Sequence, residues 1–335
     1  MTGAVGLALV GTGRWGARLA EAVARSEQVK LITCFSRDEE RRSSFAAQHG
    51  CRSAATFDEA IEDPAVAAVI LATPNEVHAD QTEACSQRGR HVFVEKPIAY
   101  SIQDAVRMDT ACRSAGLTLM VGHAFRRLGA SRRVKELLAA GTLGRVVLAE
   151  ANFSLPGVLN PDQWRYYRES CPGGPLMQLG IHHVDTLRYW VGPVERVQGS
   201  FARVATSAEI DDVGVAVLDF ENGARGTVTG SYVSPRTFFL RLYGSEANLD
   251  YVIDMSVWPD APKLDEHTTL TVTRKTGVEQ IDFDRRDMVV EELEEFAACV
   301  RGEAEPETGA VEGTAALSVV LGALESHATG KAVQL

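Results

Sequence analysis

Positive charge is in short supply in this chain. Against 45 aspartates and glutamates stand 34 lysines and arginines, a formal net charge of -11 over 335 residues. Such a surface repels nucleic-acid backbones and anionic lipid headgroups, so neither nucleic acid nor membrane is expected as a partner. Phosphate can still be bound locally, because a helix N-terminus or a single arginine acts at short range. Paired cysteines are also missing. Cys34, Cys51, Cys85, Cys112, Cys171 and Cys299 include no Cys-x-x-Cys and no metal-ligand spacing, so no metal site is expected, and scattered thiols fit a reducing cytoplasm. No stretch approaches the roughly 18 apolar residues of a membrane span. The opening MTGAVGLALVGTG has a short apolar run and no basic residues ahead of it, unlike a secretory signal. Internal repeats and low-complexity tracts are absent. What remains is an ordinary globular composition, 45% hydrophobic and 24% charged, in a chain long enough for two domains.

The first third alternates between two periods. VGLALV (5–10), VKLITCF (29–35), AVAAVILAT (65–73), HVFVE (91–95) and LTLMVG (117–122) are apolar runs of strand length. Between them lie a helical pattern after Gly16, with Leu19 and Val23 four apart beside Ala20 and Ala24, and others at 38–50, 76–88 and 102–115. Continuous rather than alternating apolar strands mean burial on both faces, and β-α-β repetition means a doubly wound parallel sheet. Gly11-Thr12-Gly13-Arg14-Trp15-Gly16 sits at the first strand-to-helix turn. There the first glycine permits the turn, the second lets the backbone approach a pyrophosphate, and the third lets helix and strand pack closely. A dinucleotide site is therefore expected, with these six residues forming the phosphate loop.

An acid is missing where NAD-binding chains usually have one, at the end of the second strand. The residues are Cys34-Phe35-Ser36-Arg37. A hydroxyl and a guanidinium hold a ribose 2′-phosphate, and Arg41 one turn on adds charge, so NADP is favoured. Two alternatives stay open: Ser36 only caps the helix, or Asp38 turns in to accept a ribose hydroxyl and NAD is used.

Three later segments, ATPNEVHAD (72–80), VEKPIA (94–99) and GGPLMQLGIHHVDTLRYWVG (173–192), complete a pattern. With the glycine loop, the chain resembles the glucose–fructose oxidoreductase, inositol dehydrogenase and rhizopine-catabolism (GFO/IDH/MocA) family over nearly its whole length. The resemblance implies an N-terminal Rossmann domain, expected at 1–122. An α/β domain with a large, mostly antiparallel open sheet is expected at 123–335, serving a homodimer or homotetramer. β-rich runs with turn signals after residue 145, such as Glu221-Asn222-Gly223, agree with it. It implies an NAD(P)-dependent oxidoreductase acting on a CH–OH group.

The resemblance implies that Lys96 stands beside the nicotinamide, as a cofactor contact, and beside the reacting carbinol, with Glu95 supporting the lysine or binding the cofactor. An ammonium there hydrogen-bonds the substrate oxygen and stabilises developing charge. It implies that His182 exchanges the hydroxyl proton, which suits a group titrating near neutrality. Gln178, His182 and Asp185 are spaced to share one helical face. The family often has an aspartate at the position of Gln178, so an Asp–His pair is not carried over; Asp185 can substitute, or pair with Arg188. Thr73, Pro74, Asn75 and His78 are expected at the nicotinamide end, and Arg165 toward the nicotinamide or the substrate. Trp164, with Lys96, Gln178 and His182, is expected to bind substrate. The polar residues, Tyr166 or Tyr167 among them, suit a polyhydroxylated small molecule: a sugar, cyclitol or derivative. Phe153, Leu155, Trp164 and Tyr166 alternatively suit an aromatic diol, and a non-catalytic dinucleotide-binding regulator is the reading from another class. Loops 152–171 and 231–236 are expected to set substrate choice. RRLGASRRVKELL (126–138) is expected to be a solvated amphipathic helix, and 301–313 a surface loop.

Overall fold

A computed structural model describes residues 3–157, 159–257 and 261–335. Residue 158, within the first of the two expected specificity loops, lies outside the described residues. The chain divides into two compact units. One comprises residues 1–124 and 289–314, the other residues 125–288 and 315–335.

The first unit is built on six strands: β1 (Val5–Val10), β2 (Val29–Phe35), β3 (Arg52–Ser53), β4 (Ala68–Leu71), β5 (His91–Glu95) and β6 (Leu119–Gly122). They lie in the order β3-β2-β1-β4-β5-β6, with every pair parallel. That is the doubly wound order, with its switch point between β1 and β4. Both β1 and β4 are buried at every position, as their unbroken apolar sequences require. The helices are α1 (Arg14–Arg25), α2 (Glu39–His49), α3 (Phe57–Glu62), α4 (His78–Gln87) and α5 (Ile102–Ser114). α2 begins on Asp38, whose carboxylate accepts from the Arg41 N–H at 2.9 Å, and ends on Gly50 at φ 66°. β3 and α3 are too short to show a period and were not expected from the sequence.

The second unit has nine strands. They are β7 (Val146–Ser154), β8 (Val194–Ala202), β9 (Val213–Phe220), β10 (Arg225–Ser231), β11 (Thr237–Gly244), β12 (Asn248–Ile253), β13 (Thr268–Arg274), β14 (Gly277–Gln280) and β15 (Val333–Gln334). Their order is β14-β13-β12-β11-β7-β10-β9-β8-β15. β7 and β10 are parallel and the other pairs antiparallel. The strands alternate: Phe153, Phe238, Leu240, Leu218 and Tyr251 are buried on one face, while Val217 and Val252 are exposed on the other. α6 (Gly129–Ala139) and α7 (Ile181–Trp190) belong to this unit.

The expected division into consecutive halves needs correction. All but the first residue of α8 (Met288–Val300), and the first turn of α9 (Ala310–Thr329), return to the first unit. Phe296 packs edge-on to Phe93 of β5, centroids 5.7 Å apart, and Ser26 donates to Glu294 at 2.8 Å. The loop between these helices is not wholly a surface loop either. Thr308 is fully buried, its hydroxyl donating to the Val121 carbonyl at 2.8 Å while its own carbonyl accepts from the Val121 N–H at 2.7 Å. Sequence distance hides such a return, because an antiparallel bridge to β6 has no local signal.

Candidate functional site

In the first unit the glycine loop fits a pyrophosphate in three separate respects. Gly11 has φ 101°, and a Cβ on it would stand 2.3 Å from the Ala72 carbonyl oxygen. A Cβ on Gly16 would stand 2.0 Å from the Gly11 carbonyl oxygen, whereas Gly13 has open space on its side-chain face. No side chain caps α1 and no acid lies in its first turn. Its first N–H groups, with the positive end of the helix dipole, are thus left for an external anion. The Thr12 hydroxyl donates to the Ser36 hydroxyl at 2.8 Å, joining this loop to the end of β2.

The residues beyond β2 are those named for the cofactor's ribose. Asp38 is the N-cap of α2, so its carboxylate is engaged in the helix; Ser36 is not the cap. Arg14, Arg37 and Arg41 are exposed. Among the described residues none of the three has an ion-pair partner, whereas Arg42 lies 4.0 Å from Glu39.

Glu95 ends β5, and the Lys96–Pro97 peptide bond is cis. Lys96 is half-buried at the carboxyl edge of the sheet, where open α/β sheets take ligands. The side chains of two of the expected cofactor contacts are bonded within the protein. His78 is fully buried, with Nδ1 3.1 Å from the Ile98 carbonyl and Nε2 3.1 Å from the Thr73 carbonyl. The Asn75 amide donates to the Pro97 carbonyl at 3.1 Å and accepts from the Tyr100 hydroxyl at 3.0 Å. Their side chains brace the turn after β4 against the turn after β5. Thr73 bonds Gln81 at 2.7 Å, and Pro74 is exposed.

In the second unit, the segment expected as one α-helix opens with a π-helical turn, Leu176–Gly180. The i, i+4 stacking of an α-helix therefore does not apply from Gln178 to His182. Such wide turns occur mostly at functional sites, and here both Gln178 and His182 are buried. The His182 ring lies edge-on to Phe125, centroids 4.7 Å apart, and 6.0 Å from Phe153. Asp185 has a partner that the sequence did not suggest. It takes both arms of the buried Arg126 guanidinium, at 2.7 and 2.6 Å. Arg126 and Arg127 are buried, so the start of the basic segment is not solvated. A lone arginine and a lone aspartate in apolar surroundings were the available signal, since each needs a partner when buried.

The loop residues are partly committed. Arg165 lies over the Trp164 ring at 4.2 Å. Tyr166 and Tyr167 donate their hydroxyls to the carbonyls of Ser207 and Pro161, both at 2.9 Å. Phe153 is fully buried against Phe125 and Phe238, which removes it from an aromatic-binding role.

His183 is buried beside Phe238, centroids 4.5 Å apart, and burial pushes its imidazole down to about 4. The unfolded chain then binds a proton below about pH 6.5 that the folded chain refuses. Stability is therefore full above pH 6.5 and is lost as pH falls towards 4. The melting temperature is expected to drop over that window, and His183→Leu to reduce the drop, the buried His78 imidazole, also pushed down to about 4, supplying part of the remainder. A variant with wild-type pH dependence would show another group responsible. Glu95, raised to about 7 by burial, works in the opposite sense between pH 7 and 4.5, so the His183 variant rather than the wild type carries the test.

The described residues contain no group of three His, Cys, Asp or Glu able to hold a metal ion, and no helix long and apolar enough to cross a membrane. All six cysteines are free thiols.

Residues 5–123 match an oxidoreductase family with an NAD-binding Rossmann fold (GFO/IDH/MocA), and residues 131–250 match the GFO/IDH/MocA C-terminal domain. The chain is similar to 1,5-anhydro-D-fructose reductase of Ensifer adhaerens, at 27% identity over 96% of this chain and 98% of that one. It is similar to D-xylose 1-dehydrogenase (NADP(+)) 2 of Haloferax volcanii, at 29% identity over 98% of both. A crystal structure from Desulfitobacterium hafniense, described as an NADPH-dependent oxidoreductase, superposes with a TM-score of 0.95. It is 36% identical, over 99% of this chain and 98% of that one.

Proposed function

The chain belongs to the GFO/IDH/MocA family of NAD(P)-binding oxidoreductases, and from that premise we propose that it moves a hydride between NADP(H) and a carbinol carbon of a sugar, cyclitol or sugar derivative. The observation that carries the reading is the lysine at the carboxyl end of β5, in the same unit as a phosphate loop whose Gly11 and Gly16 cannot take a Cβ. The nicotinamide, when bound, supplies the hydride chemistry. The backbone of residues 11–16 and the N-terminus of α1 hold the pyrophosphate, and Ser36, Arg37 and Arg41 the 2′-phosphate. Lys96 hydrogen-bonds the substrate oxygen and stabilises charge that develops on it. His182 is assigned as a second acid–base group, and Gln178 as a donor or acceptor for substrate hydroxyls. Sugar substrates are supported by the reductase and dehydrogenase relatives. A homo-oligomer joined through the large sheet is supported by Val217 and Val252, exposed on its outer face.

Tryptophan quenching by NADPH and NADH tests the cofactor choice. NADPH is expected to bind at least about tenfold tighter, since a charge-assisted hydrogen bond to a phosphate contributes about 1.5–3 kcal/mol. Arg37→Asp is expected to reverse the order. Equal affinities in both proteins would sink the Ser36–Arg37 argument. The substrate class is tested by following NADP reduction with D-xylose and NADPH oxidation with 1,5-anhydro-D-fructose; inertness toward these and a wider sugar panel would count against it.

A further inference from the structure

Nothing in the chemistry above uses Glu95 directly, yet its surroundings are closely built. It is 7% exposed at the end of β5. The Trp15 indole N–H, from inside the phosphate loop, donates to its Oε1. On β6, Gly122 leaves it room: a Cβ there would stand 2.9 Å from the same oxygen. Burial pushes the carboxyl up to about 7, against the opposing pull of the Lys96 ammonium, the Trp15 N–H and the Lys96 backbone N–H.

The groups around it are few. Lys96 follows it in the chain. From α1 comes Trp15, with the Arg18 guanidinium 5.4 Å above its ring. From β6 comes Gly122, followed by the buried His123. From β4, Leu71 pairs with Val94 and brings no charge. A carboxyl next to Lys96 thus takes a side-chain hydrogen bond from the Trp15 indole, and that donor belongs to the loop that would wrap the pyrophosphate.

We propose that Trp15 and Glu95 form a link through which the phosphate loop sets the protonation of Lys96, with Glu95 a positioning residue. The proposal rests on the dinucleotide and Lys96 readings above. A charged Glu95 favours the ammonium form of Lys96; a Glu95 that has taken a proton from solvent no longer does. The indole N–H favours the charged form, so a ligand that fixes Trp15 in place lowers the pH at which Glu95 becomes neutral.

The test is tryptophan emission of the ligand-free protein between pH 5.5 and 8.5, because a carboxylic acid quenches indole more than a carboxylate does. A step with its midpoint near 7 is expected, lost in Glu95→Gln and in Trp15→Phe. With saturating NADPH the midpoint is expected to move down by about half a unit or more. A step that survives Glu95→Gln, or that NADPH leaves in place, overturns the link. The pH profile of kcat/KM gives the second readout. Its Lys96 limb is expected about one unit lower in Glu95→Gln, with the Kd for NADPH within about threefold of wild type. A uniform loss at every pH would make Glu95 merely structural. If wild-type protein bound neither NADPH nor NADH, the cofactor reading would fail and the proposal with it. That failure is told apart by the ligand-free step, which needs no dinucleotide.

Discussion

Lys96→Ala is expected to lower kcat by about 10²–10⁴-fold, with the Kd for NADPH changed by no more than a few-fold. The size follows from removing both a positioned proton donor and a cation that stabilises oxyanion charge. Affinity should survive because the phosphate loop, β2 and the N-terminus of α1 hold the rest of the cofactor without Lys96. Lys96→Arg should not rescue turnover: a guanidinium keeps its charge but does not give up its proton. Steady-state rates on a responding sugar, with quenching titrations on the same preparations, separate the two quantities. A variant that loses NADPH binding in parallel with turnover would make Lys96 a cofactor residue.

Asp185→Leu is expected to destabilise the second unit by about 3–5 kcal/mol, because it strands the Arg126 guanidinium without its carboxylate. Both side chains of this pair are almost completely buried, at 7% and 1% exposure, and no water can replace the lost partner. The Arg126 guanidinium also lies 5.0 Å from the centre of the Tyr189 ring, so two points of α7 depend on it. The double variant Arg126→Leu with Asp185→Leu should recover most of the loss, since removing both charges removes the desolvation penalty as well. Thermal melts of the two variants and the wild type decide this. Because the chain has two compact units, the lower transition is the one to follow, not a single global midpoint. Equal stability of single variant and wild type would mean that the guanidinium finds another partner. Loss of activity in the double variant as well as the single one would show that α7 is held for catalysis by this pair, whereas loss in the single variant alone would trace to the stranded charge.

The elements that proved legible were those specified by local pattern. Unbroken apolar runs in β1 and β4 implied burial on both faces and hence a parallel sheet. β-rich runs with turn signals, such as the one before Glu221-Asn222-Gly223, agreed with a large, mostly antiparallel sheet. Glycines at 11, 13 and 16 implied the phosphate loop, and Gly50 the end of α2. Each of these is a statement about neighbours in sequence, and the chain carries it whatever it later packs against.

Other features depended on partners far away in the chain. Asn75 and His78 read as cofactor contacts because polar residues after a strand often are; their actual acceptors are carbonyls at 97 and 98. Residues 289–314 joined the first unit through Phe93, Val121 and Ser26. The π-helical turn before His182 shifts the face on which Gln178 was counted.

By its residues alone, then, this chain determined where its strands and helices lie, where a dinucleotide's phosphates go, and which lysine stands at the strand end. Only the tertiary structure decided which polar groups are spent on one another: Trp15 on Glu95, Asp185 on Arg126, Asp38 on the start of α2. The reason is physical. Backbone conformation follows from local sterics and periodicity, whereas a buried polar group takes whatever partner folding brings within about 3 Å, and that partner has no fixed place in the sequence.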